Sequence, residues 1–281
     1  MNEVSLVLVD HAYGKKAITL LVSVGTSAQI IELEAEITLS GGFEPAFLIG
    51  DNSTTLPSDA LKNHLAALAA ARGLDSLADF GDALLEGILE STPVAELGSV
   101  TLRATPWLTL NPDFDGTMTR RESSDFVTVE RQRSGSVTFG GGTTQSVLRK
   151  GNSSFAGFLR DRYTDQDDVS ERMLFGKLEA TWKYTDKLEN AGLTHDLVCG
   201  TLIEAFSRVR SRSVQETLFG IGSWTFDAVV EISELDISFA SFPLEELNAA
   251  EPEYGTSAKV WSQSNKTLGV TSARMRRREL Q

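Results

Sequence analysis

Cysteine, histidine and positive charge are scarce in this chain of 281 residues. The single cysteine, Cys199, excludes an intrachain disulfide, and its apolar neighbours Leu197, Val198, Leu202 and Ile203 predict a packed thiol in a reduced setting. Three histidines (His11, His64, His195) and that one cysteine offer no zinc-ligand spacing, so no metal is expected. Lys and Arg total 26 against 39 Asp and Glu, a formal net charge of −13. A surface of that sign repels nucleic acid and anionic membranes. Arg274, Arg276, Arg277 and Arg278 are the exception, and at a chain end they read as a solvated tail. No apolar run is long enough to span a bilayer. Glu3 and Asp10 flank the first apolar stretch where a signal peptide needs basic residues, so a cytoplasmic protein is expected. Walker, G-x-G-x-x-G and G-x-S-x-G motifs are missing, and Gly140-Gly141-Gly142 reads as a loop.

What is present is ordinary globular material: 41% hydrophobic and 23% charged. Val4 to Val9, Ala17 to Val24 and Ile30 to Leu39 alternate as strands do, the first two joined through a turn at Ala12 to Lys16. Gly50 to Asn63 follows, with Gly50, Asp51, Asn52 and Pro57 as turn residues and Ser58 or Asp59 placed to cap a helix. Helical spacing covers Asp59 to Ala71 and Asp75 to Leu89, stopped between them by Arg72-Gly73. Strands return at Val100 to Leu108 and, after loop signals at Asn111 to Asp113 and Asp115-Gly116, at Ser124 to Gln132. The order then repeats. Strands are expected at Ser136 to Phe139, Ser146 to Arg149 and Leu174 to Tyr184, helices at Thr194 to Val209 and Ser213 to Val230, and strands near Leu235 to Phe239 and Ala258 to Trp261. Strands, two helices and strands, twice over, predict an α+β chain of two tandem units, 1–135 and 136–281, with helices on one face of an antiparallel sheet. The repeat rests on element order alone. Sheets with open edges favour oligomers.

Several short fragments, in this order and spacing, give the chain a resemblance to the urate oxidase (uricase) family. They are Tyr13-Gly14-Lys15, Gly50-Asp51-Asn52-Ser53, Ser58-Asp59, Lys62-Asn63, Arg133-Ser134-Gly135, Ser154 to Phe158, Arg160-Asp161, Tyr163-Thr164, Arg172, Ala180-Thr181-Trp182, Ser213-Val214-Gln215 and Tyr254-Gly255. The resemblance spans nearly the whole chain. It implies two tunnelling-fold (T-fold) units, a barrel-forming homotetramer, a pocket at a subunit interface, and oxidation of urate by O2 without a cofactor. By position, Lys15 would be the proton-relay lysine. Ser58 and Asp59 would arrive from a neighbouring subunit and offer backbone N–H groups to the ring. Phe155 would stack on it, Arg172 would chelate one edge, and Gln215 with the Val214 backbone would hold the other. An aromatic face, a guanidinium fork and a carboxamide suit a planar diketo heterocycle, and a nearby lysine suits proton abstraction.

The chain departs from the family pattern in places. Ser58 stands where the family has threonine, so a hydroxyl remains for a Lys15–Ser58 relay. Gln166, within the acidic Asp165 to Asp168 run, stands where the family has leucine. Aligned on Ile237-Ser238-Phe239, the chain has Ser241 and Pro243 where the family has an asparagine and a histidine, and no histidine follows His195. Three readings follow: a urate oxidase proper, converting urate, O2 and water to 5-hydroxyisourate and hydrogen peroxide; an enzyme of the same fold acting on another heterocycle; and a non-catalytic subunit of such an assembly. Keeping Lys15, Phe155, Arg172 and Gln215 together weighs against the third, and a diverged uricase-like oxidase ranks first.

Overall fold

A computed structural model describes residues 6–24, 29–74, 76–110, 118–120, 124–185, 188, 190–247, 260–263 and 268–277. Glu3, Asp75, the loop residues 111–116, Tyr254-Gly255 and Arg278, named above, lie outside these residues, as do the first two residues of the expected 4–9 strand and 258–259 of the last one. The chain divides into two units, one of residues 1–141 with 184–195 and one of 142–183 with 196–281. The class is α+β.

Unit 1 begins with strand β1 (Ala12–Val24) paired antiparallel to β2 (Gln29–Gly41). After them come helices α1 (Glu44–Ile49), α2 (Ser58–Arg72) and α3 (Leu77–Ser91). Strand β3 (Ala95–Thr109) returns antiparallel to both β2 and β5 (Ser124–Gln132), with the short β4 (Met118–Arg120) on its far end. Alternation on β2 turns Leu33, Ala35, Ile37 and Leu39 inward, where they meet Leu61 and Leu65 of α2 and Leu84, Leu85 and Ile88 of α3 in one core. Each buried leucine or isoleucine among them contributes roughly 1.5–3 kcal/mol by leaving water.

Strand β6 (Val137–Phe155) starts in unit 1 and continues into unit 2. Unit 2 adds β7 (Val169–Tyr184), helices α4 (Ala191–Arg208) and α5 (Val214–Ala228), β8 (Ile232–Ser241), a small ribbon of β9 (Leu244–Leu247) and β10 (Val260–Gln263), and β11 (Gly269–Arg276) antiparallel to β8. Its core joins Leu178, Ala180 and Trp182 of β7, Val198, Leu202 and Phe206 of α4, Leu218 and Ile221 of α5, and Leu235, Ile237 and Phe239 of β8. Among the described residues no helix is long and apolar enough to cross a membrane.

Five expectations need correction. Residues 6–11 carry no strand, and Ala12 to Lys16 is no turn; β1 starts at Ala12, because β2 supplies partners from Ser40 downward. Gly140 to Gly142 sits inside β6 as strand rather than loop, since ladder partners overrule the weak local preference of glycine. Neither Ser58 nor Asp59 caps α2 through its side chain: Pro57 occupies the cap position without a side-chain hydrogen bond, and its fixed φ of −55° suits that start. Cys199 is only half-buried and Leu197 is 51% exposed, because this stretch of α4 is not fully covered. Lastly, Arg274, Arg276 and Arg277 form no frayed tail. Arg274 and Arg276 lie in β11, where they pair across the strand with Asp236 and Glu234, and Arg277 follows directly after it.

A residue-level repeat lies beneath the shared element order. Both α3 and α5 run for 15 residues. Ser76 caps the first by accepting the amide of Asp79, and Ser213 caps the second by accepting that of Glu216. At the other end Arg133 donates to the carbonyls of Leu89, Thr92 and Ala95, at 2.6–2.8 Å. Arg277 donates to those of Phe226, Val229 and Ile232, which have the same spacing. In each unit a guanidinium from the residue just after a strand satisfies carbonyls that a helix end leaves open.

Candidate functional site

The residues singled out in the sequence fall into two groups, one in each unit. In unit 1, Gly14 allows β1 to run against β2, since a Cβ there would come 1.9 Å from the Ile37 carbonyl oxygen. The register then slips between Lys15 and Ile18, and Ala17 takes a left-handed φ of 53°. Such a bulge re-aims the side chain beside it. Lys15 Nζ lies 2.6 Å from Asp59 Oδ1, at the first turn of α2 and next to Ser58. Hydrogen bonding to Lys15 holds the Asp59 carboxyl below its usual range. The approach to α2 is itself ordered: Gly50 ends α1 with φ 72°, and Asp51 accepts the Ser53 amide at 3.0 Å. Ser58 and Asp59 are exposed, and the Ala60 amide that follows donates to the Pro57 carbonyl at 2.8 Å. His11, which has no evident partner in the sequence, contacts the Gly41 carbonyl at 2.8 Å.

In unit 2, Phe155 ends β6 and Arg172 lies near the start of β7. The Arg172 guanidinium carbon stands 5.3 Å from the centre of the Phe155 ring. Arg172 is half-buried, desolvation pushes its pKa down, and its Nε has no hydrogen-bond partner among the described residues. A partly desolvated cation with an open donor needs an acceptor. Phe158 stacks on Phe155 at 4.9 Å and 10°. Arg160 lies 4.6 Å over the Phe158 ring and also donates to the Gln166 carbonyl at 2.7 Å and to Asp168 at 3.3 Å. Gln166 therefore belongs to the loop after Phe155, with its backbone fixed and its side chain exposed.

Val214 and Gln215 open α5, and the structure ties that end to Phe155. The Ser154 amide donates to the Ser211 carbonyl at 2.8 Å, and Ser153 bridges Ser211. Gln215 is exposed. Arg212 grips Glu216 through its backbone amide and its guanidinium, which depresses the Glu216 pKa and fixes the first turn. Ser241 ends β8, and the next residue, Phe242, donates its amide to the Phe175 carbonyl at 2.8 Å. Ser241 and Pro243 thus flank β7 a few residues from Arg172. The local arrangement is an aromatic face, a cation with an unfilled donor and an open helix start, a combination suited to a flat ring with acceptor edges.

A family model described as Uricase matches residues 140–269. The uricase of Oryctolagus cuniculus is 28% identical over 246 residues, covering 82% of this chain and 81% of that protein. The uricase of Danio rerio is 28% identical over 241 residues, covering 82% and 81%. The chain is thus similar to uricases over most of its length. The crystal structure of uricase from Arthrobacter globiformis, at 24% identity, superposes with a TM-score of 0.84 over 99% of this chain and 97% of that one. The T-fold reading of the two units accords with that likeness. Sequence reasoning missed Phe158 as a stacking partner, and it missed Ser153, Ser211 and Thr217. The serine pair before Phe155 was the one available signal.

Proposed function

We propose that the chain is a uricase-like oxidoreductase that binds urate, or a closely related planar purine-type heterocycle, and oxidises it with O2 without a cofactor. The open Nε of the half-buried Arg172, over the Phe155 ring, carries this reading. Phe155 stacks on the ring. Arg172 donates to one edge, and the Gln215 carboxamide and Val214 amide take the opposite edge. Lys15 comes from a second copy in a homotetramer and, as the neutral amine, accepts the ring's proton, with Ser58 as hydroxyl relay and Asp59 holding the ammonium that forms. Supporting that assembly, Phe47, Leu48 and Ile49 are 49%, 66% and 79% exposed just ahead of the segment bearing Ser58. Apolar surface of this kind marks an interface.

The test is urate turnover by purified protein, followed by ultraviolet absorbance and oxygen uptake, with anaerobic binding of urate and xanthine beside it. Urate loss with matched O2 uptake is the expected result. Binding without turnover moves the assignment to a second reading, an enzyme of the same family acting on another ring. Ser241 and Pro243 favour that second reading, since they leave no histidine after His195 to complete a relay. If neither ring binds, the clamp assignment fails.

A further inference from the structure

Three hydroxyls are buried where unit 2 joins its ring-bearing strand to α5. Ser153 is 0% exposed, and Ser211 and Thr217 are 1% exposed. Ser211 Oγ donates to Ser153 Oγ at 2.8 Å, and Thr217 Oγ1 lies 2.9 Å from Ser211 Oγ and 2.8 Å from the Ser213 carbonyl. With the Ser154 amide on the Ser211 carbonyl, they make one continuous connection. It runs from the residues just before Phe155 to the residues on either side of Val214 and Gln215.

Unit 1 shows that this fold does not need such a connection. With α3 and α5 set in register at their Ser76 and Ser213 caps, Leu74 stands in the place of Ser211 and Phe80 in that of Thr217. Both are buried in the unit 1 core, at 9% and 4% exposure. In the same register, buried Ala78 of α3 corresponds to exposed Gln215 of α5. Where the helix start only packs, apolar side chains cover it; where it faces outward beside Phe155, hydroxyls do. A paired buried hydroxyl adds little net stability over an apolar group of the same shape, but it fixes direction in a way that apolar contact does not.

We propose that Ser153, Ser211 and Thr217 are positioning residues that set the distance and angle between the Phe155 ring and the Val214–Gln215 helix start, and so the thickness and width of ring the site accepts. The inference rests on the proposed function for its ligand. The test compares Thr217→Val, which keeps shape and loses the hydroxyl, with Thr217→Ser, which keeps it. Thr217→Val is expected to stay folded by circular dichroism and to raise KM for urate, and its anaerobic Kd, roughly 5- to 30-fold. Its kcat should stay within about twofold, since a mis-set clamp loses uniform binding rather than chemistry. Hydrogen exchange at the Ser154 amide should accelerate, and Thr217→Ser should restore both readouts. A variant with faster Ser154 exchange and unchanged KM would make the hydroxyls structural only and overturn the proposal. So would a variant equal to wild type in both. A wild type that binds neither urate nor xanthine removes the proposed function and this inference with it, whereas normal wild-type binding that Thr217→Val leaves untouched removes this inference alone.

Discussion

In unit 1, α3 starts on Ser76 and ends beneath Arg133; in unit 2, α5 starts on Ser213 and ends beneath Arg277. The two ends are built alike, yet their surroundings differ. The first turn of α3 is sealed by Ala78 and Phe80, whereas that of α5 carries exposed Gln215 and a buried hydroxyl cluster. Unit 1 instead places its outward chemistry at the start of α2, where Lys15 meets Asp59. Both units thus keep the same helix clasp, while the exposed polar side chains gather at a different helix start in each, α2 in unit 1 and α5 in unit 2. Closing a helix end is a backbone requirement common to both units; reading a ligand is not.

The sharpest way to break that contrast is Lys15→Met. Loss of a general base is expected to lower kcat about 10²- to 10⁴-fold. Anaerobic urate affinity should barely change, and so should thermal stability, because exposed ion pairs of this kind contribute little. If affinity falls and kcat does not, the amine belongs to binding and the division of labour is wrong. Arg172→Ala should do the opposite. One lost charge-assisted contact costs on the order of 1.5–3 kcal/mol, roughly ten- to hundredfold in affinity by isothermal titration. Equal binding by variant and wild type would remove Arg172 from the site.

The clasps should respond alike. Arg133→Ala and Arg277→Ala are each expected to lose about 1–3 kcal/mol in urea denaturation, from carbonyls left without a donor. A cost at only one site would mean that the two ends are similar in shape but not in energetics. The smallest effect concerns pH. The folded-state pKa of Glu216 is lowered by Arg212, so the pair's stabilisation is present above the ordinary glutamate pKa and is lost as pH falls through the lower folded value. Glu216→Gln should therefore melt slightly below wild type at pH 7 and level with it in strong acid. A gap that persists at low pH would assign the effect to packing rather than charge.

Much of this was legible in the sequence. Apolar spacing located α2, α3, α4 and α5 to within a few residues, because each helix must present a continuous stripe to a sheet. The order of short fragments around Lys15, Phe155, Arg172 and Gln215 pointed to the uricases, to which the chain is similar over most of its length. The setting of those residues was less legible. Lys15 read as part of a turn and lies at a strand bulge; Asp59 read as a cap and takes an ammonium instead. In each case the partner is distant in the chain or set by backbone geometry, and local propensity carries no information about either.

By itself the sequence determined the α+β class and the repeated element order, because periodicity and residue chemistry are local properties. Only the tertiary structure decided that Arg133 and Arg277 close equivalent helix ends, that the arginine-rich end of the chain is a paired strand, and that Ser153, Ser211 and Thr217 meet. Those facts depend on which segments the fold brings within 3 Å, and hydrogen bonds of that length report on space, not on sequence.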